Sequence, residues 1–532
     1  MLKDVPEWHI LFSQKSTGMI HTDKHYHIHP AYTLIPDKHC AFIANSREWG
    51  MFEPHPDIDD NFSQLISPLF ASIFAYWNGK KTYAETLKAI CADLQLQAKP
   101  LEDMLKPCFE NPERIQLRYP ETDGQAATLK HWIPRHFIVE SQQKSERNDL
   151  RPPKDFILPA RQWDFSKMRT QFPHSLSFML TNHCVTDCIY CYADKRPRDI
   201  KSLPTARWIE LVREADAMGC LNVDLAGGEV FLHPDIEQIL QALHQRSFHP
   251  YLSTKIPLSE EKIRRLSDAG MRELQLSIDS WDNALMEKML RVPPSYFPKL
   301  QQSLEALEKH GIKVKVKSVI TCHNDATETI EKLLTRLTAF HNIQSVSIAP
   351  AEYSLYKGYD QFQAYRTNRK QWEKVKACVS AFAESCKSPC IIDCQEISDS
   401  RKYFASVDEK CASFPQRARC TGNISSLFIL PDGKAGICEE LYWHPKFIVG
   451  DVTTQSIRHV WESEKALSLY MLSQEKFRRK SVCSICPDFD PCHQRNGVCW
   501  KEIIEAYGEE NHDFPDPRCP YAPPVTHKFY IS

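Results

Sequence analysis

The chain has 532 residues, 42% of them hydrophobic and 25% charged, with 66 Lys+Arg against 68 Asp+Glu for a net charge of -2. At about 150 residues per domain this predicts three or four domains, each with room for its own core, and the charge balance argues against a polyanion binder. No apolar run approaches the ~20 residues of a membrane helix, and the N-terminus lacks the charged, apolar and small-residue regions of an export signal. The expectation is a cytoplasmic protein whose partners include neither membrane nor nucleic acid.

Residues 1–120 read as short strands followed by helices. AYTLIPDKHCAFIAN alternates as strands do, with a break at Pro36-Asp37. From Asn61 to Trp77 apolar residues recur at helical spacing until Asn78-Gly79 stops them. Thr82 opens a second helix, with Glu85 completing a capping box; a third covers 99–109, and IQLRY returns as a strand. His25, His27 and His29 share a strand face, which reads as polar surface rather than metal ligation. Residues 121–170 are polar, contain Pro152-Pro153, and read as a linker.

From 171 to 350 the hydrophobic period switches repeatedly between two and 3.6. Strands are predicted at SLSFMLT, LNVDLA, PYLST, ELQLSID, IKVKVKSVIT and QSVSIA, with helices at 203–218, 235–246, 259–269, 296–310 and 327–340. Repeated strand–helix units give a parallel sheet, open or curved into a barrel, so the fold class is α/β. Residues 351–410 read as a helical bridge, with Cys386, Cys390 and Cys394 on one helix face if the helix runs through Pro389. Residues 411–532 have little periodicity and a hairpin signal at Pro431-Asp432-Gly433. Too few apolar residues repeat there to build a core, so bound metal would organise the segment.

Cysteine usage points the same way. Of 20 cysteines, twelve lie in 378–519, and clustered thiols in a reducing compartment more often hold metal than form disulfides. Directly after the first parallel strand comes Cys184-x3-Cys188-x2-Cys191. Three thiolates cannot complete a tetrahedral zinc site alone, so the loop reads either as a zinc knuckle that borrows a distant Cys or His or as three ligands of a cubic iron–sulfur cluster with one iron left open for a small molecule. The loop sits at the C-terminal end of its strand, where this architecture places its chemistry. Other strand ends add Ala226-Gly227-Gly228-Glu229, Ser253-Thr254-Lys255, and Ser277 with Asp279; Arg291 follows twelve residues later.

Residues 174–350 resemble the radical S-adenosylmethionine (SAM) enzymes, through the cysteine loop with an aromatic, Tyr190, before its last Cys. The resemblance implies a partial (β/α)6 barrel. Cys184, Cys188 and Cys191 would hold a [4Fe–4S] cluster whose open iron chelates the amino and carboxylate groups of SAM. Gly227, Gly228 and Glu229 would contact the methionyl amino end, while Tyr190, Ser253, Ser277, Asp279 and Arg291 match other positions around the nucleotide. Where related enzymes often carry Thr-Asn-Gly and Ser-x-Asp-Gly, this chain has Ser253-Thr254-Lys255 and Ser277-Ile278-Asp279-Ser280. The cofactor does the hard chemistry in this family: an electron from the cluster splits SAM, and the 5'-deoxyadenosyl radical takes a substrate hydrogen.

The tail, Cys420-x12-Gly433-x4-Cys438, then Cys483-x2-Cys486-x5-Cys492-x6-Cys499 and Cys519, resembles the SPASM extension, which carries two auxiliary clusters. By that resemblance Cys483, Cys486, Cys492 and Cys519 ligate the outer cluster and Cys420, Cys438 and Cys499 the inner one, with Cys411 a candidate fourth ligand. Residues 30–120, through ISPLFASIFAYWNGKKTYAETLKAICADL, resemble the winged-helix domain that captures leader peptides on a sheet edge.

The expected organisation is a winged-helix-like α+β leader-recognition domain (1–120), a linker (121–170), the radical SAM partial barrel (171–350), a helical bridge (351–410) and a cysteine-rich SPASM-like domain (411–532). The expected function is a peptide maturase that makes a C–C or thioether cross-link in a ribosomally made precursor, served by a reductant such as flavodoxin or ferredoxin. The alternatives are an anaerobic sulfatase-maturing enzyme that makes formylglycine, a peptide epimerase, and a non-catalytic iron–sulfur electron carrier.

Overall fold

The computed structural model describes residues 20–47, 57–60, 62–117, 131–141, 146–165, 168–194, 200–395, 406–417 and 420–525. It divides into two units, 1–171 and 172–532. Residues 121–130, 142–145 and 166–167 of the expected linker and 396–405 of the expected bridge lie outside the described residues.

In the first unit, strands β1 (His25–Ile28), β2 (Tyr32–Pro36), β3 (Ala41–Asn45) and β4 (Ser63–Ile66) precede helix α1 (Pro68–Ala75). The helix expected from Asn61 is therefore half strand. Pro68 keeps Ser67 extended, and Ser67 then caps α1 through its side chain and the Phe70 N–H. Strand β5 (Asn78–Thr82) follows, then α2 (Tyr83–Leu94), which opens on the Thr82–Glu85 capping box, and α3 (Ala98–Leu105). Strands β6 (Ile115–Leu117), β7 (His131–Ile133) and β8 (Ile138–Glu140) complete the unit. Its antiparallel sheets run β2-β3-β4, β5-β1-β8 and β6-β7.

The stretch read as linker is thus part of the fold. Two of its strands pair with β1 and β6. Arg147, buried, donates to the carbonyls of Ile28, His29 and Tyr32 and pairs with Asp149 at 2.6 Å. The core is aromatic: Tyr26, Trp77, Tyr83 and Phe109 meet edge to face around Phe109. The three N-terminal histidines each have a local partner of their own: His25 bonds the Gly79 carbonyl, His27 the Ile28 carbonyl, and His29 accepts from the Ala31 N–H.

The second unit begins with β9 (Ser175–Thr181), α4 (Thr205–Met218), β10 (Asn222–Gly227), α5 (Ile236–His244), β11 (Ser253–Thr254), α6 (Glu260–Asp268) and β12 (Glu273–Ser277). It continues through α7 (Asn283–Leu290), α8 (Tyr296–Lys309), β13 (Lys313–Ile320), α9 (Thr327–Leu337) and β14 (Ile343–Pro350). All six predicted barrel strands are present, and α7 is an extra helix capped by Asp282. Next come α10 (Tyr359–Tyr365), α11 (Arg369–Ser385) and β15 (Ile391–Cys394), then α12 (Val407–Ser413), β16 (Ser426–Ile429), β17 (Lys434–Gly436) and β18 (Ile448–Asp451), and lastly α13 (Ile457–Trp461), α14 (Glu464–Tyr470) and α15 (Trp500–Tyr507).

Strands β11-β12-β13-β14-β15 form one wholly parallel sheet. The other sheet runs β10-β9-β16-β17-β18, with β10, β9 and β16 parallel and the hairpin antiparallel. Strand β15 corrects the helical reading of 386–394: α11 ends at Ser385 with Cys386 extended, so the three cysteines do not share a helix face. Pro389 cannot continue a helix. Among the described residues no helix is long and apolar enough to cross a membrane.

Alternation fixes the faces of the strands. In β10, Val223 and Leu225 are buried while Asn222 and Asp224 between them are not fully so. In β13, Val314, Val316, Ser318 and Ile320 are buried, and lysines occupy the alternate positions 313, 315 and 317. Apolar side chains thus pack on one face and polar ones occupy the other.

Candidate active site

The cysteine loop leaves the end of β9 and is held by backbone on two sides. From β10, the Gly228 N–H donates to the Thr181 carbonyl (2.8 Å) and the Glu229 N–H to the His183 carbonyl (2.7 Å). From α7, the Leu290 carbonyl accepts the Asp187 N–H (2.9 Å) and the Met289 carbonyl the Ile189 N–H (3.0 Å). The glycines have a specific reason to be there. A Cβ on Gly228 would lie 2.3 Å from the His183 carbonyl oxygen, and one on Gly227 3.0 Å from that of Thr181. The close approach that these glycines permit is first of all to the cysteine loop itself.

Within the loop, Cys188 is buried and Cys184 and Cys191 are partly open. The Thr186 hydroxyl sits 3.2 Å from the Cys184 Sγ and 3.4 Å from the Cys188 Sγ. The donor set is three thiols, soft ligands that suit iron–sulfur clusters. On a cubic cluster they would supply one thiolate to each of three irons.

Around the thiols stands a buried polar network. The Tyr190 hydroxyl donates to Asp279 Oδ2, and Lys255 Nζ lies 3.3 Å from the same oxygen and 5.3 Å above the Tyr190 ring. Asp279 is 0% exposed; its Oδ1 accepts the Val319 N–H at 2.8 Å and its carbonyl the Asn324 amide at 2.7 Å. Burial, then the charge of Asp279, pushes the Tyr190 phenol well above its ordinary range. Burial alone would lower the Lys255 ammonium, but Asp279 and Cys188 hold it above its usual value.

Glu229 is 3% exposed. Its Oε2 accepts the Thr254 hydroxyl (2.8 Å) and the Lys255 N–H (3.2 Å), and its Oε1 the Phe231 N–H (3.2 Å). Burial pushes its carboxyl up despite these bonds. The chain thus holds this carboxylate through several donors of its own.

Ser277 ends β12 on the same face as Gln275, whose amide donates to the Ser277 hydroxyl at 2.9 Å, and Ser253 is exposed at the end of β11. Arg291 closes α7 in the left-handed region (φ 54°) and reaches Asp187 of the cysteine loop at 2.6 Å, with both side chains exposed. The residues that sequence reasoning did not enrol are Lys255, Thr186 and Asn324. Lys255 carried a signal, since it directly follows a barrel strand at a position where related chains have glycine.

In the tail, interactions sort the thiols into two groups. Burial, with the neighbouring thiols Cys519, Cys492 and Cys486, pushes Cys483 up to about 12, and burial with Cys492 and Cys486 raises Cys519 to about 11. Separately, burial and Cys420 raise Cys438 to about 12, while burial, Glu502 and Cys420 push Cys499 well up. Polar side chains hold this framework. The Gln474 amide donates to the carbonyls of Cys483 and Cys486, both at 2.8 Å. Arg417, stacked on Phe414, donates to the Cys492 Sγ at 3.3 Å. Cys411 is exposed on α12, and no interaction among the described residues ties it to either group.

Comparison with known proteins agrees with this geometry. Residues 178–337 match the model of the radical SAM superfamily, and residues 420–487 that of the SPASM iron–sulfur cluster-binding domain. The chain is 27% identical over 330 residues, 60% of its own length and 82% of the relative's, to a protein of Methylocella silvestris named PqqA peptide cyclase. Its fold is similar to that of Streptococcus suis SuiB bound to S-adenosylmethionine, with a TM-score of 0.58 and 15% identity over 93% of this chain and 99% of that one. It is equally similar to SuiB bound to its precursor peptide SuiA, with a TM-score of 0.58 and 14% identity over 92% and 98%. The chain therefore carries a radical SAM domain, which binds a [4Fe–4S] cluster and SAM, followed by a SPASM domain, which binds auxiliary iron–sulfur clusters.

Proposed function

We propose that this chain is a radical SAM peptide maturase that modifies a ribosomally made precursor, with a carbon–carbon or thioether cross-link as the product. The observation that carries the reading is the three-thiol loop at the end of β9, braced by β10 and α7 and followed in the same unit by two groups of buried or partly buried thiols. The relative named PqqA peptide cyclase and the fold shared with SuiB, whose precursor-bound form is among the matches, support a peptide as the substrate.

In this reading Cys184, Cys188 and Cys191 ligate the cluster that binds SAM. Cys483, Cys486, Cys492 and Cys519 ligate the outer auxiliary cluster, and Cys420, Cys438 and Cys499 the inner one. Bound there, the cluster and SAM would supply one-electron, hydrogen-abstracting radical chemistry. The chain's own residues orient and enclose. Gly227, Gly228 and Glu229 contact the methionyl amino end, and Gly228 keeps the β10 turn tight against the loop. The buried Tyr190–Asp279 contact fixes the loop's aromatic. The first unit supplies the leader site: β4 is an edge of its sheet, and an extended peptide can add to such an edge through main-chain hydrogen bonds. A flavodoxin or ferredoxin serves as reductant, in the cytoplasm.

The test is co-expression with the short open reading frame nearest the gene, followed by mass spectrometry of the peptide. A mass lower by two hydrogens, lost when Cys184→Ala is used and lost again when residues 1–171 are deleted, is the expected result. Modification that survives deletion of the first unit would remove leader capture from the proposal. Release of no 5'-deoxyadenosine by the reduced parent protein would remove the radical chemistry.

A further inference from the structure

Lys255 has no role in the scheme above, and its surroundings are unusual. It follows β11, and its side chain is only 19% exposed. Its backbone is fastened at both ends, the N–H donating to Glu229 and the carbonyl accepting the Tyr296 hydroxyl. Its ammonium therefore has little freedom. It lies 5.3 Å above the Tyr190 ring, and Tyr190 stands between Cys188 and Cys191 in the loop. Its anionic partner, Asp279, is the more heavily screened member of the pair. Asp279 also takes the Tyr190 hydroxyl and the Val319 N–H, so its charge is spread over three donors.

A fixed positive charge in a partly dry site favours whichever state of a neighbouring centre is more negative. The reduction potential of an iron–sulfur cluster depends on net charge and hydrogen bonding around its sulfurs. We infer that Lys255 is a positioning residue that raises the reduction potential of the cluster held by Cys184, Cys188 and Cys191, with Asp279 as the counterweight that limits the rise. The inference rests on reading those three cysteines as cluster ligands. It assigns the Lys–Asp pair an electrostatic task separate from holding SAM: reduction becomes easier for a modest donor, and a weaker Lys255 field would demand a stronger one.

The experiment is an EPR-monitored redox titration of the anaerobically reconstituted full chain, following the signal that changes shape when SAM is added and so belongs to the cluster with the open iron. Lys255→Met is expected to shift the midpoint to more negative potential by about a tenfold change in the reduced-to-oxidised ratio, or ~59 mV for one electron. Lys255→Arg should hold the parent value, and Asp279→Asn should move it the opposite way. If Lys255→Met does not fold, Lys255→Gln carries the same prediction. An unchanged midpoint in a charge-removing variant that retains its iron overturns the inference. A parent protein with no SAM-responsive signal overturns the cysteine-loop reading instead.

Discussion

The two cysteine-bearing regions of the second unit are built on opposite principles. The loop at 184–191 hangs between regular elements: β10 and α7 meet it through four backbone hydrogen bonds of 2.7–3.0 Å, and Gly228 lets one turn press against another. The tail from 474 to 519 has mainly short helical turns, and side chains do the joining. Gln474 reaches the carbonyls of Cys483 and Cys486, Arg417 the Cys492 sulfur, and Arg478 pairs with Asp513. Backbone ladders are obligatory wherever strands and helices form; side-chain ties of this kind contribute only about 1 kcal/mol each. The loop is therefore shaped before any cluster arrives, whereas the tail needs its metal to hold its shape.

That contrast can be broken most sharply by removing iron. Treating the protein with a chelator and then a protease should cut within 411–525 far sooner than within 175–350, read by mass mapping of the fragments; first cuts around 184–191 would invert the comparison. Next in size is Gly228→Ala. Its Cβ would meet backbone rather than a flexible side chain, so we expect a loss of about 1–3 kcal/mol of stability and at least a tenfold fall in 5'-deoxyadenosine release, with auxiliary iron content unchanged. A variant that melts and turns over like the parent would show that the loop is not braced there.

The smallest expected effect concerns the tail's acid sensitivity. Burial would raise Asp513, but the hydrogen bonds and charge of Arg478 bring it down to about 2, against ~3.9 for an unperturbed Asp. A depressed carboxyl contributes stability that is fully present above the unfolded value, so this contribution should persist above pH ~4 and vanish as pH falls toward 2. Arg478 is largely exposed, so the contribution is small. Asp513→Asn should flatten that part of the melting profile by no more than about 2 °C. A larger change would mean that the pair anchors the tail more than its exposure suggests.

Several elements were legible because their signals are local. SLSFMLT is β9 residue for residue, the Thr82–Glu85 pair caps α2, and Pro431-Asp432-Gly433 turns β16 into β17. Elements whose cause is distant were not. Ile391–Cys394 is a strand because β14 offers it an edge, and Ser63–Ile66 is not helix because β3 takes it up as β4. The stretch 131–165 was misread as linker because its composition is polar. Its strands are short, and its fastenings are distant in sequence: a buried arginine meets carbonyls more than a hundred residues away, and its strands pair with β1 and β6.

What the sequence by itself determined is the chemistry: a spacing of three and two residues between thiols is a covalent fact, and so is the succession of strand-end residues after it. What only the tertiary structure decided is the electrostatic setting of that chemistry. Lys255, Asp279 and Tyr190 come from three separate segments and meet only when the ends of β11 and β12 in one sheet and of β9 in the other are brought around the same site. Coulomb interactions depend on distance and on the burial that sets the dielectric, and neither quantity is written in the order of residues along the chain.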